Sequence, residues 1–314
     1  MTVGVVLMDY GGPEDLAGVA RFLARLLGDP AILPLPPVIR PMVAHLIARR
    51  RTPHAMDKYR AIGGSSPLPA QVRALGSALG VHLGPDYLVR HAFRYCAPSP
   101  AQVVDELVGA VDRAVVLPLF PQHSGATTDT CLRAFTAAAT GSGLTWTAVP
   151  SFPEQTGFLD AVMEGTLPLV EDGCHVLFVA HGLPRRSVDR GDPYVDEVRR
   201  TADQLGSRLP TGTTWSLAFQ SRLGPVEWVR PYLEDEIARL ADEGIPALVV
   251  VPVSFVTENL ETRYDLDIEA ADLASSVGLA TYRRAPAPGR SEALVAALAD
   301  LVRAAAPGVG DHGH

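Results

Sequence analysis

The sequence predicts an α/β protein built of two similar lobes, each a parallel sheet flanked by helices. Short apolar runs alternate with amphipathic stretches along the whole chain, the pattern of parallel strands covered by helices. The two halves repeat that pattern weakly. A chain of 314 residues, 47% of them apolar, is also long enough for two domains that each bury a core.

Taken in order, strands are expected at residues 4–8, 87–93, 114–119, 175–180, 214–219 and 247–253, each ending near Gly, Pro or a polar residue. Helices are expected at 13–27, 69–83, 100–110, 194–209, 228–243 and 291–305, where the apolar positions fall at helical spacing. In the repeat, Val5-Val6-Leu7-Met8-Asp9-Tyr10-Gly11-Gly12-Pro13 matches Val176-Leu177-Phe178-Val179-Ala180-His181-Gly182-Leu183-Pro184, which sets Tyr10 opposite His181. Further on, Val115-Val116-Leu117-Pro118-Leu119 matches Val249-Val250-Val251-Pro252-Val253. The lobes are therefore expected at 1–150 and 151–314, with 307–314, which holds His312 and His314, a frayed and disordered tail. Parallel-sheet folds bind ligands outside the carboxyl ends of their strands, so Tyr10 and His181 become candidate cleft residues.

From Tyr10 to Pro118 is 108 residues, against 71 from His181 to Pro252, and the excess is placed at about residues 31–67. That insertion opens with Ala31-Ile32-Leu33-Pro34-Leu35-Pro36-Pro37-Val38-Ile39, apolar, stiffened by proline and too irregular for a strand. A stiff apolar lip suits a large flat ligand, and the basic residues after it, Arg49-Arg50-Arg51 and Lys58-Tyr59-Arg60, suit carboxylates on that ligand. A helix packed on the core with a solvated basic end is the other reading of the same residues.

Charge narrows the function classes. With 27 Lys+Arg against 35 Asp+Glu the formal charge is −8, with no basic stripe, so a nucleic-acid partner is not expected. No apolar run is long enough for a transmembrane segment, and the N-terminus lacks a basic signal region, so a cytoplasmic protein is expected. The three cysteines, Cys96, Cys131 and Cys174, form no C-x-x-C pair and are expected as buried, reduced thiols. Dinucleotide and P-loop glycine patterns are absent, and Gln122-His123-Ser124-Gly125 lacks the first glycine of a nucleophile elbow.

The strongest chemical feature follows the strand ending near Val253. If Glu261 opens a helix, Asp265 and Glu269 lie four and eight residues on, so three carboxylates share one face with no Lys among them. Like charges at that spacing destabilise a helix, so something must compensate. A divalent cation or proton traffic along the row would do so, as would a solvated face at a helix N-terminus.

Six ordered stretches then resemble the ferrochelatase family. They are Val6-Leu7-Met8-Asp9-Tyr10-Gly11-Gly12-Pro13; Tyr59-Arg60-Ala61-Ile62-Gly63-Gly64-Ser65-Ser66-Pro67-Leu68; Leu117-Pro118-Leu119-Phe120-Pro121-Gln122-His123-Ser124; Ala180-His181-Gly182-Leu183-Pro184 with Gly191-Asp192-Pro193-Tyr194; Gln220-Ser221-Arg222-Leu223-Gly224-Pro225; and Pro252-Val253-Ser254-Phe255-Val256 leading to Leu260-Glu261-Thr262. The resemblance implies two Rossmann-like lobes with parallel sheets facing a porphyrin cleft, as in class II chelatases, and insertion of Fe2+, the metal substrate, into a porphyrin with release of two protons in haem biosynthesis. It carries over His181 as iron ligand or as base for a pyrrole N–H, and Glu261 as its carboxylate partner, while Asp265 and Glu269 could relay protons or metal. Both jobs of His181 stay open.

Departures within the resemblance refine it. Glu258-Asn259 stands where many relatives have Asp-His, and His123 stands where a Tyr is usual. With three cysteines and none beyond Cys174, the four-cysteine iron–sulfur cluster of some relatives is not expected. Tyr10 followed by Gly11 resembles the coproporphyrin III type, in which that Tyr ligates the product iron; protoporphyrin IX insertion and a non-enzymatic haem carrier are the alternatives. Lys58, Tyr59, Ser66 and His123 fall on porphyrin-binding positions, the first three on those that hold propionates. Transient contact with other haem-pathway enzymes is the one protein partnership implied.

Overall fold

The computed structural model describes residues 2–222 and 226–306. The expected disordered tail, 307–314, and residues 223–225 of one matching stretch lie outside the described residues. The chain divides into two compact units.

The first unit holds β1 (Val3–Asp9), α1 (Val19–Gly28), α2 (Arg40–Ala61), α3 (Leu68–Leu83), β2 (Tyr87–Phe93), α4 (Pro100–Leu107), β3 (Arg113–Pro118), α5 (Thr128–Ala139) and β4 (Trp146–Ala148). Its sheet runs β2-β1-β3-β4, every neighbour parallel. All seven residues of β1 are buried, as expected of an inner strand covered on both faces. Helix α4 starts where it does because Ser99 and Gln102 form a capping box and Pro100 occupies the first turn.

The second unit holds α6 (Thr156–Thr166), β5 (Cys174–His181), α7 (Arg185–Val188), α8 (Tyr194–Gly206), β6 (Thr214–Gln220), α9 (Leu233–Asp242), β7 (Ala247–Pro252), a π-helix (Glu261–Ala270), α10 (Ala271–Ser276) and β8 (Thr281–Arg284). Its sheet order, β6-β5-β7-β8, again all parallel, is that of the first unit shifted by four strands. The equivalence extends to single hydrogen bonds. Leu119 N–H donates to Met8 O (2.8 Å), and Val253 N–H donates to Val179 O (2.9 Å). These are the residue pairs that the internal repeat aligns. Leu177, Val179, Leu248 and Val250 of the sheet pack with Leu233, Ile237 and Leu240 of α9 and with Leu266 and Ala270 of the π-helix.

Two segments cross the boundary expected near residue 150. Residues 120–124 belong to the second unit, because Gln122 Nε2 donates to Thr201 Oγ1 and Val253 O (both 3.0 Å). The C-terminal helix α11 (Glu292–Ala305) belongs to the first unit from Val295 onward, where Thr147 Oγ1 donates to Ala305 O (2.9 Å).

The insertion contains no strand. It is a turn at residues 30–33 followed by the 22-residue α2, whose Ala44 and Ala48 pack on Leu27 of α1. Its outer side leaves Val38 (91%), Met42 (70%) and Leu46 (66%) exposed, while Ile32 and Leu33 pack with Leu27, Ala44 and Ala48. Two expected helices begin late. The first expected helix opens instead as a 3-10 turn at Leu16–Gly18 capped by Asp15, with α1 following. Residues 228–232 are bridged to neighbouring backbone at Pro184↔Trp228 and Phe219↔Tyr232, which delays α9 to Leu233. Cys131 and Cys174 are buried free thiols, whereas Cys96 is half-buried, a correction to the expectation that all three are buried. No helix among the described residues is long and apolar enough to cross a membrane.

Candidate functional site

In the second unit, parallel pairing brings His181 to the carboxyl end of β5, in register with Gln220 of β6. Two residues past the end of β7, Ser254 Oγ accepts the His181 backbone N–H (3.1 Å). The Tyr194 phenol meets the same N–H and the Ser254 hydroxyl. The imidazole is half-buried. Desolvation pushes it below its ordinary value and the Asp265 carboxylate pulls it part of the way back, so it is neutral at pH 7. A neutral imidazole can bind a metal or accept a proton.

The acidic row lies on the π-helix, which corrects the expected α geometry. Four residues are slightly more than one α turn and slightly less than one π turn, so a step of four returns to within about 40° of the same face in either form. Glu261, Asp265 and Glu269 thus remain a row, with the slant reversed. Glu261 and Asp265 are half-buried and Glu269 is exposed, so the row is graded toward solvent. Asp265 Oδ2 accepts from Ser221 Oγ (3.2 Å), and Ser221 is held at φ 66°, in the left-handed region that non-glycine residues rarely occupy.

Two arginines stand near the row and pair with carboxylates outside it. Arg263 pairs with Asp267 (3.2 Å), and Arg284 of β8 reaches both Asp267 and Glu258. Asn259, where the resemblance suggested only a lost imidazole, caps the helix entry. Its N–H donates to Thr262 Oγ1 (3.0 Å) and its Oδ1 accepts from Thr262 N–H (2.9 Å).

His123 belongs to this unit as well. It is half-buried, and its backbone N–H donates to Glu197 Oε2 (2.8 Å). Beside it Ser124 Oγ donates to Asp192 Oδ2 (2.9 Å), and Asp192 Oδ1 accepts the Tyr194 N–H (3.1 Å), which ties this loop to the residues behind His181. Gln220 is buried with no partner for its amide among the described residues.

In the first unit, Tyr10 directly follows β1. Its phenol donates to the Ala126 carbonyl and its ring meets Tyr95 edge-on, with centroids 5.0 Å apart. Burial, reinforced by Tyr95, Cys131, Asp29 and Asp9, holds its pKa well above the usual phenol value. The turn after it requires glycine. Gly11 has φ 79°, and a Cβ on Gly12 would lie 2.5 Å from Ser66 Cβ and Oγ. Ser66 is buried there, its N–H donating to Pro13 O (2.8 Å), so it lies against the turn that carries Tyr10. Lys58 is half-buried and Tyr59 buried in the last turn of α2, where the Tyr59 carbonyl accepts Gly64 N–H (2.7 Å).

Behind Tyr10 lies an aspartate-centred cluster. Asp29 Oδ2 accepts from Arg94 Nη2 (2.6 Å), Thr130 Oγ1 (2.8 Å) and Tyr95 OH (3.2 Å), and Oδ1 accepts from Ala31 N–H (2.8 Å). Burial alone would raise the Asp29 carboxyl; the bonds from Ala31, Thr130, Arg94 and Tyr95 bring it below the usual carboxylate range.

Sequence reasoning missed Ser254, Tyr194, Asp192 and Ser221 as site residues, although each stands inside a matching stretch. For Arg284 and Asp29 there was no local signal. The structure brings His181 together with Asp265, and Tyr10 together with Ser66.

The chain is similar to known proteins over nearly its whole length. The family model described as Ferrochelatase matches residues 2–306. A ferrochelatase of Nostoc sp. is 38% identical over 96% of this chain and 81% of its own. Those of Gloeobacter violaceus and Phenylobacterium zucineum are 38% and 37% identical, covering 96% and 90% of their own lengths and 96% of this chain. Among solved structures, SirB from Bacillus subtilis with Fe3+ superposes with a TM-score of 0.62 at 12% identity, over 98% of this chain and 96% of that one. DR2241 from Deinococcus radiodurans, a multi-domain protein with structural similarity to chelatases, gives 0.53 at 13%, over 96% of this chain and 55% of its own. Both structural likenesses are of fold.

Proposed function

Because the chain belongs to the ferrochelatase family, we propose that it inserts Fe2+ into coproporphyrin III, with release of two protons, to give coprohaem. Metal insertion into a porphyrin for haem synthesis follows from the membership itself, and the chain is a metal chelatase. The observation that carries the proposal is the His181 imidazole at a strand end, within electrostatic reach of Asp265 in a carboxylate row graded toward solvent.

Iron replaces two pyrrole N–H protons, so the site must loosen hydration from Fe2+ and conduct protons away. An imidazole and a carboxylate favour Fe2+ without the soft thiolates that would retain it. His181 supplies the imidazole, as first ligand or as pyrrole base, and either duty needs it neutral. Glu261 supplies the carboxylate, and Asp265 and Glu269 lead protons or metal outward. Lys58, Tyr59, Ser66 and His123 are assigned to porphyrin binding, the first three to propionates, of which coproporphyrin has four.

The relay assignment has its own test. Asp265→Asn and Glu269→Gln are expected to slow insertion mildly while raising stability by a few tenths of a kcal/mol per relieved pair. Melting temperatures and initial rates measure both. A loss of stability in both variants would make the carboxylates structural.

Tyr10 supports coproporphyrin as substrate through its expected role as ligand to product iron. In the resting protein its phenol is neutral and bonded to Ala126 O, so ligation requires both the loss of that bond and a cation to favour the phenolate. Tyr10→Phe should therefore leave porphyrin affinity and insertion largely intact, shift the visible spectrum of bound ferric coproporphyrin and speed its release. Titrating ferric coproporphyrin into both proteins measures this. Identical spectra and off-rates would reduce Tyr10 to a wall of the site and remove the main support for coproporphyrin.

A further inference from the structure

Resting on the reading that Glu261 takes part in insertion, we propose that Arg284 is a positioning residue that holds the π turn carrying Glu261 and Asp265 in its working geometry. A π-helix of ten residues is long for a form mostly confined to single turns. Its carboxylate row adds like-charge repulsion. Such a segment needs to be held from outside.

Arg284 ends β8 with only 6% of its side chain exposed. Its Nε and Nη2 donate to the two oxygens of Asp267 (2.5 and 2.9 Å), a forked pair, and its Nη1 donates to Glu258 Oε1 (2.9 Å) and to Ala285 O (3.1 Å). Glu258 in turn accepts from Ala287 N–H (3.0 Å) and from the hydroxyl of Thr262 (2.6 Å), the residue after Glu261. One guanidinium therefore grips the chain on both sides of Glu261. A second residue of the same strand adds to the grip, since Tyr282 OH donates to Leu266 O (2.7 Å).

The grip discriminates between helix types. Between Leu260 and Asp267 an α-helix turns roughly 125° further than a π-helix. In an α-helix Asp267 would rotate away from the guanidinium while Glu258, ahead of the helix, stayed in place. Only the π form satisfies both carboxylates at once. Since the relative direction of Glu261 and Asp265 depends on the same turn, Arg284 sets how these two groups are aimed.

The test compares Arg284→Lys, Arg284→Met and Asp267→Asn with the unmodified full chain in anaerobic insertion of Fe2+ into free-base coproporphyrin III, with Glu261→Gln alongside. Samples are shown to be folded by circular dichroism and assayed well below their melting temperatures. Lys keeps the buried charge but cannot make the forked pair and the third bond together. We expect Arg284→Lys to retain more thermal stability than Arg284→Met, yet both to lose about tenfold or more in kcat, with the porphyrin KM within about twofold. Should Arg284→Met not fold, Arg284→Lys and Asp267→Asn decide, each expected to show the same kcat loss. A smaller loss in those two folded variants, or a loss confined to KM, overturns the proposal. If they stay active while Glu261→Gln is inactive, only the positioning role fails; if Glu261→Gln is itself fully active, the reading of Glu261 fails instead.

Discussion

Replacing His181 by Ala, or Glu261 by Gln, is expected to lower the insertion rate at least about a hundredfold, the scale of lost acid–base or ligand chemistry, with the fold retained. Ala keeps the backbone N–H that bonds Ser254, and the His181 imidazole is half-buried rather than part of the buried core. Glu261 is half-buried on a helix anchored by Leu266 and Ala270, and Gln keeps its shape. The pH dependence has a definite sign. Desolvation lowers the folded-state pKa of His181 below the ordinary value near 6.5, so the working neutral form persists somewhat below that pH and the rate falls only at lower values. Protonation favours the unfolded chain over the same interval, so this group's effect on stability also appears as pH falls below about 6.5. Rates of well-folded variants, measured across pH, check both points, and near-normal turnover in either variant would remove that residue from the mechanism.

Asp29→Ala is expected to cost about 3 kcal/mol of folding stability. The carboxylate is buried and accepts four hydrogen bonds, and its removal leaves the Thr130 and Tyr95 hydroxyls without their acceptor and Arg94 without its closest carboxylate. Arg94 is partly exposed and can turn to water, which keeps the cost at the lower end of the range for broken buried pairs. In a chain of this size that corresponds to a fall of roughly 5–10 °C in melting temperature. Because the folded-state pKa of Asp29 is lowered, its contribution is complete above about pH 4 and is lost as pH falls through the folded value. Tyr95 would also lose an anchor, so the spectrum of bound ferric product should change through its edge contact with Tyr10. Calorimetry on the two proteins is the check; a difference under about 1 kcal/mol would mean that the cluster is peripheral to stability.

The legible parts of the fold were those with long apolar runs. The six strands placed from sequence all exist: β1, β3, β5 and β7 are inner strands whose burial makes near-continuous apolar segments, while β2 and β6, at the sheet edges, are buried only toward their carboxyl ends and still carry apolar residues enough to read as strands. The two that escaped, β4 and β8, are three- and four-residue edge strands without a fully buried residue, too short to show a period. Missing β8 also hid Arg284, and so the cations around the acidic row were incompletely counted. The π-helix could not be read either. Its carboxylates recur every four residues, a spacing that α and π turns both place on one side, and its selection depends on contacts distant in sequence. Tyr10, His181 and the acidic row could be nominated from sequence because each stands at or beyond the carboxyl end of a recognisable strand. The side chains that orient them, Ser254, Tyr194, Ser221 and the Asp29 cluster, come together only through tertiary folding.

The most direct test is anaerobic insertion of Fe2+ by the unmodified protein into coproporphyrin III and protoporphyrin IX in parallel, followed by loss of the free-base spectrum. Insertion into both, or into coproporphyrin III alone, with the higher kcat/KM for coproporphyrin III, is the expected result. A higher kcat/KM for protoporphyrin IX would contradict the assigned substrate, and binding of both porphyrins with no iron insertion into either would contradict catalysis altogether.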